Sequence, residues 1–207
     1  TYLIGVLCVW SLPLAAGLAV GLTALLAGRD RLISAGAMAL AMPCNTAHFW
    51  YPDLLKGCAV PFLSIVDASV NQLLLLADAG SKIGVIGTRA TLAAQIFDPA
   101  LHRAGYTVVL PEETVMNTLV LPGIERVKAG DALNGGALIE KAVESLLKLD
   151  VRAVILACTE TPLALDAIES PLRAHCVDST AALAKACVAW WQSIKEGTAE
   201  QRARHEH

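Results

Sequence analysis

Residues 37–50, AMALAMPCNTAHFW, decide the fold. Six small or apolar residues run into Pro43-Cys44-Asn45-Thr46, and an amphipathic segment follows. The pattern predicts a buried strand that ends at the proline, then a helix with Asn45 or Thr46 as its N-cap. The thiol of Cys44 then lies at the carboxyl end of a strand, against the positive end of a helix dipole. That setting favours thiolate over thiol. One such cysteine alone is more often a buried structural residue, since free Cys packs as a small hydrophobe.

The pattern recurs. Residues 151–162, VRAVILACTETP, are again an apolar run ending in a cysteine, Cys158, followed by Thr159, Glu160 and Thr161. Two further elements repeat around the cysteines. LIGVL at 3–7 matches KIGVI at 82–86, and SIVDAS at 64–69 matches HCVDST at 175–180. Cysteine-to-aspartate spacing is 23 residues in the first half (Cys44 to Asp67) and 20 in the second (Cys158 to Asp178). Glycine-to-cysteine spacing is 39 (Gly5 to Cys44) against 74 (Gly84 to Cys158), so the first half is 35 residues shorter there.

The other segments alternate strand and helix. Helices are expected at 70–79, from Thr88 to about Ala104 with Gly105 as stop, at 122–128, at 137–148 and at 180–194. A strand is expected at 106–110. Such alternation predicts parallel, doubly wound sheets, and two such units facing each other place both cysteines in one cleft. The expected lobes are 1–68 plus about 179–207, carrying Cys44, and 69–178, carrying Cys158.

The 207 residues suffice for a sizeable core, and 55% hydrophobic content with 17% charged residues suits sheets covered on both faces. A net charge of −3 and ten aromatics argue against nucleic acid or an anionic membrane as partner. Six cysteines without a CxxC pair form neither a disulfide framework nor a zinc ribbon, which predicts free thiols, a cytoplasmic setting and no metal. Residues 1–28 carry no charge and are long enough for a membrane span. The repeat favours another reading: a buried strand at 2–7, a turn near Ser11-Leu12-Pro13 and an apolar helix to about Leu26. The polar run from Glu196 is expected to fray.

Two thiols flanking a carbon acid suit inversion by two-base chemistry, one thiolate removing the proton and the other thiol returning one from the opposite face. Asn45, Thr46, Thr88, Thr91 and Thr159 are donor types suited to a carboxylate that gains charge. No lysine stands at a strand end beside either cysteine, so pyridoxal phosphate has no evident attachment point.

PCNTAH (43–48), GTRAT (87–91), ACTE (157–160) and VDST (177–180) together resemble the aspartate/glutamate racemase superfamily, over about residues 32–190. The resemblance implies two pseudo-symmetric, Rossmann-like α/β domains with mainly parallel sheets and an interdomain cleft. It implies a cofactor-independent amino-acid racemase, often a homodimer, with Cys44 and Cys158 as catalytic thiols. Asn45, Thr46, Thr88, Thr91 and Thr159 match substrate-contacting positions, and Glu160 follows the CTE pattern of aspartate-type members. At the amino end, Cys8-Val9-Trp10-Ser11 replaces the family's glycine-rich loop. The alternatives are a maleate isomerase, a hydantoin racemase or a non-catalytic binder of a small amino acid or dicarboxylate. Cys8, Cys58, Cys176 and Cys187 read as core, and His48 as a packing or capping residue rather than a base or ligand.

Overall fold

A computed structural model describes the backbone of residues 4–6 and 17–205, with side chains from 21 to 196. Its strands are β1 (Ile4–Val6), β2 (Ala39–Ala41), β3 (Phe62–Leu63), β4 (Lys82–Gly87), β5 (Thr107–Val109), β6 (Val151–Ala157) and β7 (Cys176–Asp178). Every pairing among them is parallel, in two sheets of order β1-β2-β3 and β5-β4-β6-β7.

Helix α1 (Gly17–Ser34) joins β1 to β2. A 3₁₀ turn at Thr46–Trp50 and α2 (Tyr51–Leu55) lead to β3, and α3 (Ile65–Leu73) leads on to β4. Helices α4 (Arg89–Ala93) and α5 (Asp98–Arg103) precede β5. Then come α6 (Glu113–Val115), a π-helical turn at Met116–Val120, α7 (Leu121–Lys128) and α8 (Ala132–Leu147). Helix α9 (Glu160–Ala167) and a second 3₁₀ turn (Pro171–His175) join β6 to β7, and α10 (Ser179–His205) follows.

The long apolar strand β6 is what a parallel sheet covered on both faces requires, with residues 153–157 all buried. Alternate residues serve two cores. Ala153, Ile155 and Ile83 pack against Ile65 and Leu73 of α3 and against Phe97 and Leu101. Val154, Leu156 and Ile86 pack against Ile139, Val143 and Leu146 of α8. A third core, around Leu25, Leu40, Met42 and Leu54, supports the first sheet. Helices α8 and α9 approach closely at Gly136, where a Cβ would collide with the Ala164 carbonyl.

In each half the glycine strand pairs directly with the cysteine strand, which pairs in turn with the next: β1-β2-β3 and β4-β6-β7. The extra length of the second half holds β5, added at the sheet edge, and the helices around it. The register of the repeat needs one correction. Ser64 is the N-cap of α3, its Oγ accepting from the Asp67 N–H at 3.1 Å, so Asp67 lies inside a helix. The counterpart of Ser64 is Asp178, whose Oδ1 accepts from the Thr180 and Ala181 N–H groups at the start of α10. Ser64 and Asp178 each stand 20 residues after their cysteine.

Three other elements depart from expectation. Helix α1 runs on through Arg29 because that side chain, 8% exposed, donates to the carbonyls of Leu54 and Lys56 at 2.9 Å each. Arg29 thus caps the end of α2. No helix among the described residues is long and apolar enough to cross a membrane. The helix expected over 88–104 breaks in two, with Gln95 at φ 50° and Pro99 in the first turn of α5. Helix α10 continues to His205, past the end expected at residue 194.

Candidate active site

The site is built at the carboxyl ends of β2, β4, β6 and β7. Beyond β2 the chain passes Met42 and Pro43, and Cys44 N–H bonds back to the Met42 carbonyl at 2.8 Å. Cys44 is partly exposed and Cys158, directly after β6, is buried.

Asn45 does not cap the turn that follows it. Its side chain, 3% exposed, turns inward, and Nδ2 donates to Ser179 Oγ at 3.0 Å. Ser179, fully buried, donates in turn to the Leu156 carbonyl at 2.9 Å. The segment after Cys44 is thereby tied to the strand that ends in Cys158. Thr46 makes a second tie, its Oγ1 lying 3.1 Å from Thr88 Oγ1 and 2.7 Å from Thr91 Oγ1. The last two are 2.9 Å apart, and Thr88 also caps α4 by accepting the Thr91 N–H. Three rotatable hydroxyls in mutual contact can re-aim as donors toward an incoming carboxylate.

At the second cysteine the thiol donates to Glu160 Oε2 at 2.9 Å, and Thr159 Oγ1 donates to the same oxygen at 3.0 Å. Burial, and then the hydrogen bond and charge of Glu160, push the Cys158 thiol up to about 12. The Glu160 N–H at the start of α9 and Lys128 pull the other way and lose. Desolvation thus outweighs the helix start at Cys158 and favours the thiol. Burial raises Glu160 too, but bonds from the thiol, its own N–H and Thr159, with Lys128, hold it below the usual carboxylate range.

The variant Glu160→Gln removes the carboxylate charge and should make Cys158 easier to ionise. Burial remains, so the thiol should stay above the ordinary range. Thiolate absorbance followed across a pH titration of wild type and variant checks the direction, and an unchanged titration would remove Glu160 from the account.

His48 is fully engaged elsewhere. Ile65 N–H donates to Nε2 at 3.1 Å, so Nδ1 carries the proton and donates to the Cys44 carbonyl at 2.8 Å. Burial lowers the ring to about 4, against the opposing Cys44 bond and the Asp67 charge. It is a strut under the Cys44 backbone. Among the described residues no group of three His, Cys, Asp or Glu is arranged to hold a metal ion.

Of the residues predicted for the site, Asn45, Thr46, Thr88 and Thr91 join the two halves, and Thr159 and Glu160 gather at Cys158. Ser179 was missed. It stood in the quoted VDST motif, but nothing in the sequence shows that its hydroxyl meets Asn45. Asp178 caps α10 and bonds Arg173 at 3.0 Å. Cys176 is buried, Cys58 and Cys187 are partly buried, and Cys8 with the loop around it lies outside the described residues. A concavity of about 400 Å³, lined by His48, Phe49, Asp67, Gln95 and Arg103 among others, contains neither site thiol.

A family profile described as Asp/Glu/Hydantoin racemase matches residues 14–187. The broad specificity amino-acid racemase RacX of Bacillus subtilis is 27% identical, over 80% of this chain and 70% of that protein. The solved structure of Picrophilus torridus aspartate racemase is 26% identical, with a TM-score of 0.63 over 80% of this chain and 68% of that one. PH1733, an aspartate racemase homologue from Pyrococcus horikoshii, shares the fold with a TM-score of 0.71 and 24% identity, over 86% of this chain and 76% of that one. The chain spans about half the length of glutamate racemases it matches, 49% of the one from Parafrankia.

Proposed function

Because the chain belongs to the Asp/Glu/hydantoin racemase family, a family of isomerases, we propose that it racemises an acidic amino acid, aspartate foremost, by a two-cysteine mechanism without a cofactor. The observation that carries the reading is the paired placement of Cys44 and Cys158. Each follows the central strand of a β-β-β unit, and the hydroxyl and amide bonds described above tie the two strand ends together. Glu160 after Cys158-Thr159 favours aspartate, as does the likeness to an aspartate racemase. The proposed lobes are residues 1–68 with about 179–207, and 69–178. The assembly proposed is a homodimer in the cytoplasm.

In the resting protein the raised Cys158 keeps its proton and Cys44 acts as base. The Cys44 thiolate takes the α-proton from one face of the substrate, breaking Cα–H and forming S–H. Cys158 then gives its proton to the opposite face, becoming the thiolate as the new Cα–H bond forms. Exchange of protons between the thiols and solvent resets the pair. Between the two transfers the carboxylate carries the developing charge, and Thr46, Thr88 and Thr91 supply hydroxyls that turn to it.

The test is proton NMR of L-aspartate with the purified protein in deuterium oxide, followed by chiral chromatography. Loss of the α-proton signal with appearance of D-aspartate is expected. No exchange with aspartate or glutamate would overturn the reading and leave the fold in place.

A further inference from the structure

Asn45 Oδ1 is a buried acceptor without a hydrogen-bond partner among the described residues, in a side chain 3% exposed. Buried polar atoms are satisfied in nearly every protein interior, so an orphan in a candidate site marks a place for a ligand donor. Which Asn45 atom is the orphan is decided by Ser179. The Leu156 carbonyl can only accept, so the single Ser179 proton goes to it, at 2.9 Å. Ser179 Oγ must then accept from Asn45, which sets Nδ2 toward Ser179 at 3.0 Å and leaves Oδ1 open. The amide can turn over only if Ser179 swings its proton from the Leu156 carbonyl to Oδ1 and gives up that bond.

Resting on the racemase reading, we infer that Ser179 is a positioning residue that fixes the Asn45 amide with its oxygen presented to the substrate α-ammonium. Through Asn45 it selects α-amino acids over dicarboxylates of the same length. An ammonium is all donor, and a locked acceptor meets it where a free amide would offer either end. Ser179 itself, fully buried behind Asn45, acts only through that side chain.

The experiment compares L-aspartate with succinate, which is aspartate without its amino group. Dissociation constants come from calorimetry, with kcat and KM from the racemase assay and thermal unfolding as a check on the fold. The wild type is expected to prefer aspartate. In Ser179→Ala that preference should fall by about tenfold, in KM and Kd rather than kcat, the loss expected for an unlocked charge-assisted bond. Ser179→Thr keeps the hydroxyl and should restore it.

Asn45→Asp gives a second readout. Both of its oxygens accept, so Ser179 must turn its proton from Leu156 to residue 45. The other oxygen still faces the ammonium, so the preference should survive, and adding Ser179→Ala should no longer lower it. A role confined to packing would show no such dependence on residue 45. A wild type without preference for aspartate, or an equal loss from Ser179→Ala in both backgrounds, overturns the inference. An aspartate preference that depends on Ser179, with no α-proton exchange, would instead overturn the racemase reading alone.

Discussion

Cys44→Ala and Cys158→Ala should each lower racemisation by roughly a thousandfold or more, yet leave opposite halves of the reaction running. With Cys158 removed, the Cys44 thiolate still reaches the α-proton on its own face. Deuterium picked up by that thiol from solvent returns to the same face, so one enantiomer exchanges with retention. Cys44→Ala should exchange the other enantiomer, more slowly, because burial and Glu160 hold the remaining thiol near 12. Each enantiomer incubated in deuterium oxide with each variant gives the four measurements needed. The double variant should racemise no worse than either single one, since a unit of two groups is lost with the first. Retention of most racemase activity in either single variant would reject the two-base account. Dependence on one cysteine only would point to nucleophilic chemistry of the isomerase kind.

The parts of this site differ in how far they could be read from the chain. Cys44 and Cys158 were legible because each ends an apolar run, and a buried parallel strand leaves the sequence few other options. Thr88 was legible because a hydroxyl before a helical segment is a local signal, and it does cap α4. Asn45 showed the limit of that logic. Its type and place announce an N-cap, but its amide is drawn 134 positions away in sequence to Ser179. The repeat register slipped for a related reason. Asp67 and Asp178 look alike as letters, while the positions that do the same work are Ser64 and Asp178, since serine and aspartate both accept the first helical N–H groups. The raised Cys158 thiol was not legible, because a helix start is visible in sequence and burial beside a carboxylate is not.

Acid should loosen the fold at His48 before it reaches most carboxylates. The ring is set neutral between two backbone groups, one donating to Nε2 and one accepting from Nδ1. A second proton would have to sit on Nε2, facing the Ile65 N–H, inside a site that is 4% exposed and stacked on Tyr51 at 5.3 Å. Burial therefore lowers the ring from 6.5 to about 4, although the Cys44 carbonyl and the Asp67 carboxylate pull it up. The unfolded chain takes the proton near 6.5 and the folded one only near 4, so the unfolded state binds more protons between them. Stability is then full above that window and falls as pH drops through it, by about 3 kcal/mol at the lower end, and this contribution changes no further below. Urea unfolding of wild type and His48→Gln across the window isolates it. Carboxylates elsewhere titrate equally in both proteins, so the wild-type advantage at neutral pH should shrink by about that amount. An advantage that stays constant with pH would mean the ring takes its proton over the same pH range in the folded and unfolded chain. Because His48 holds the carbonyl of Cys44, wild-type α-proton exchange should fail in the same acid range, and a loss of exchange that precedes unfolding would place the first break at this strut.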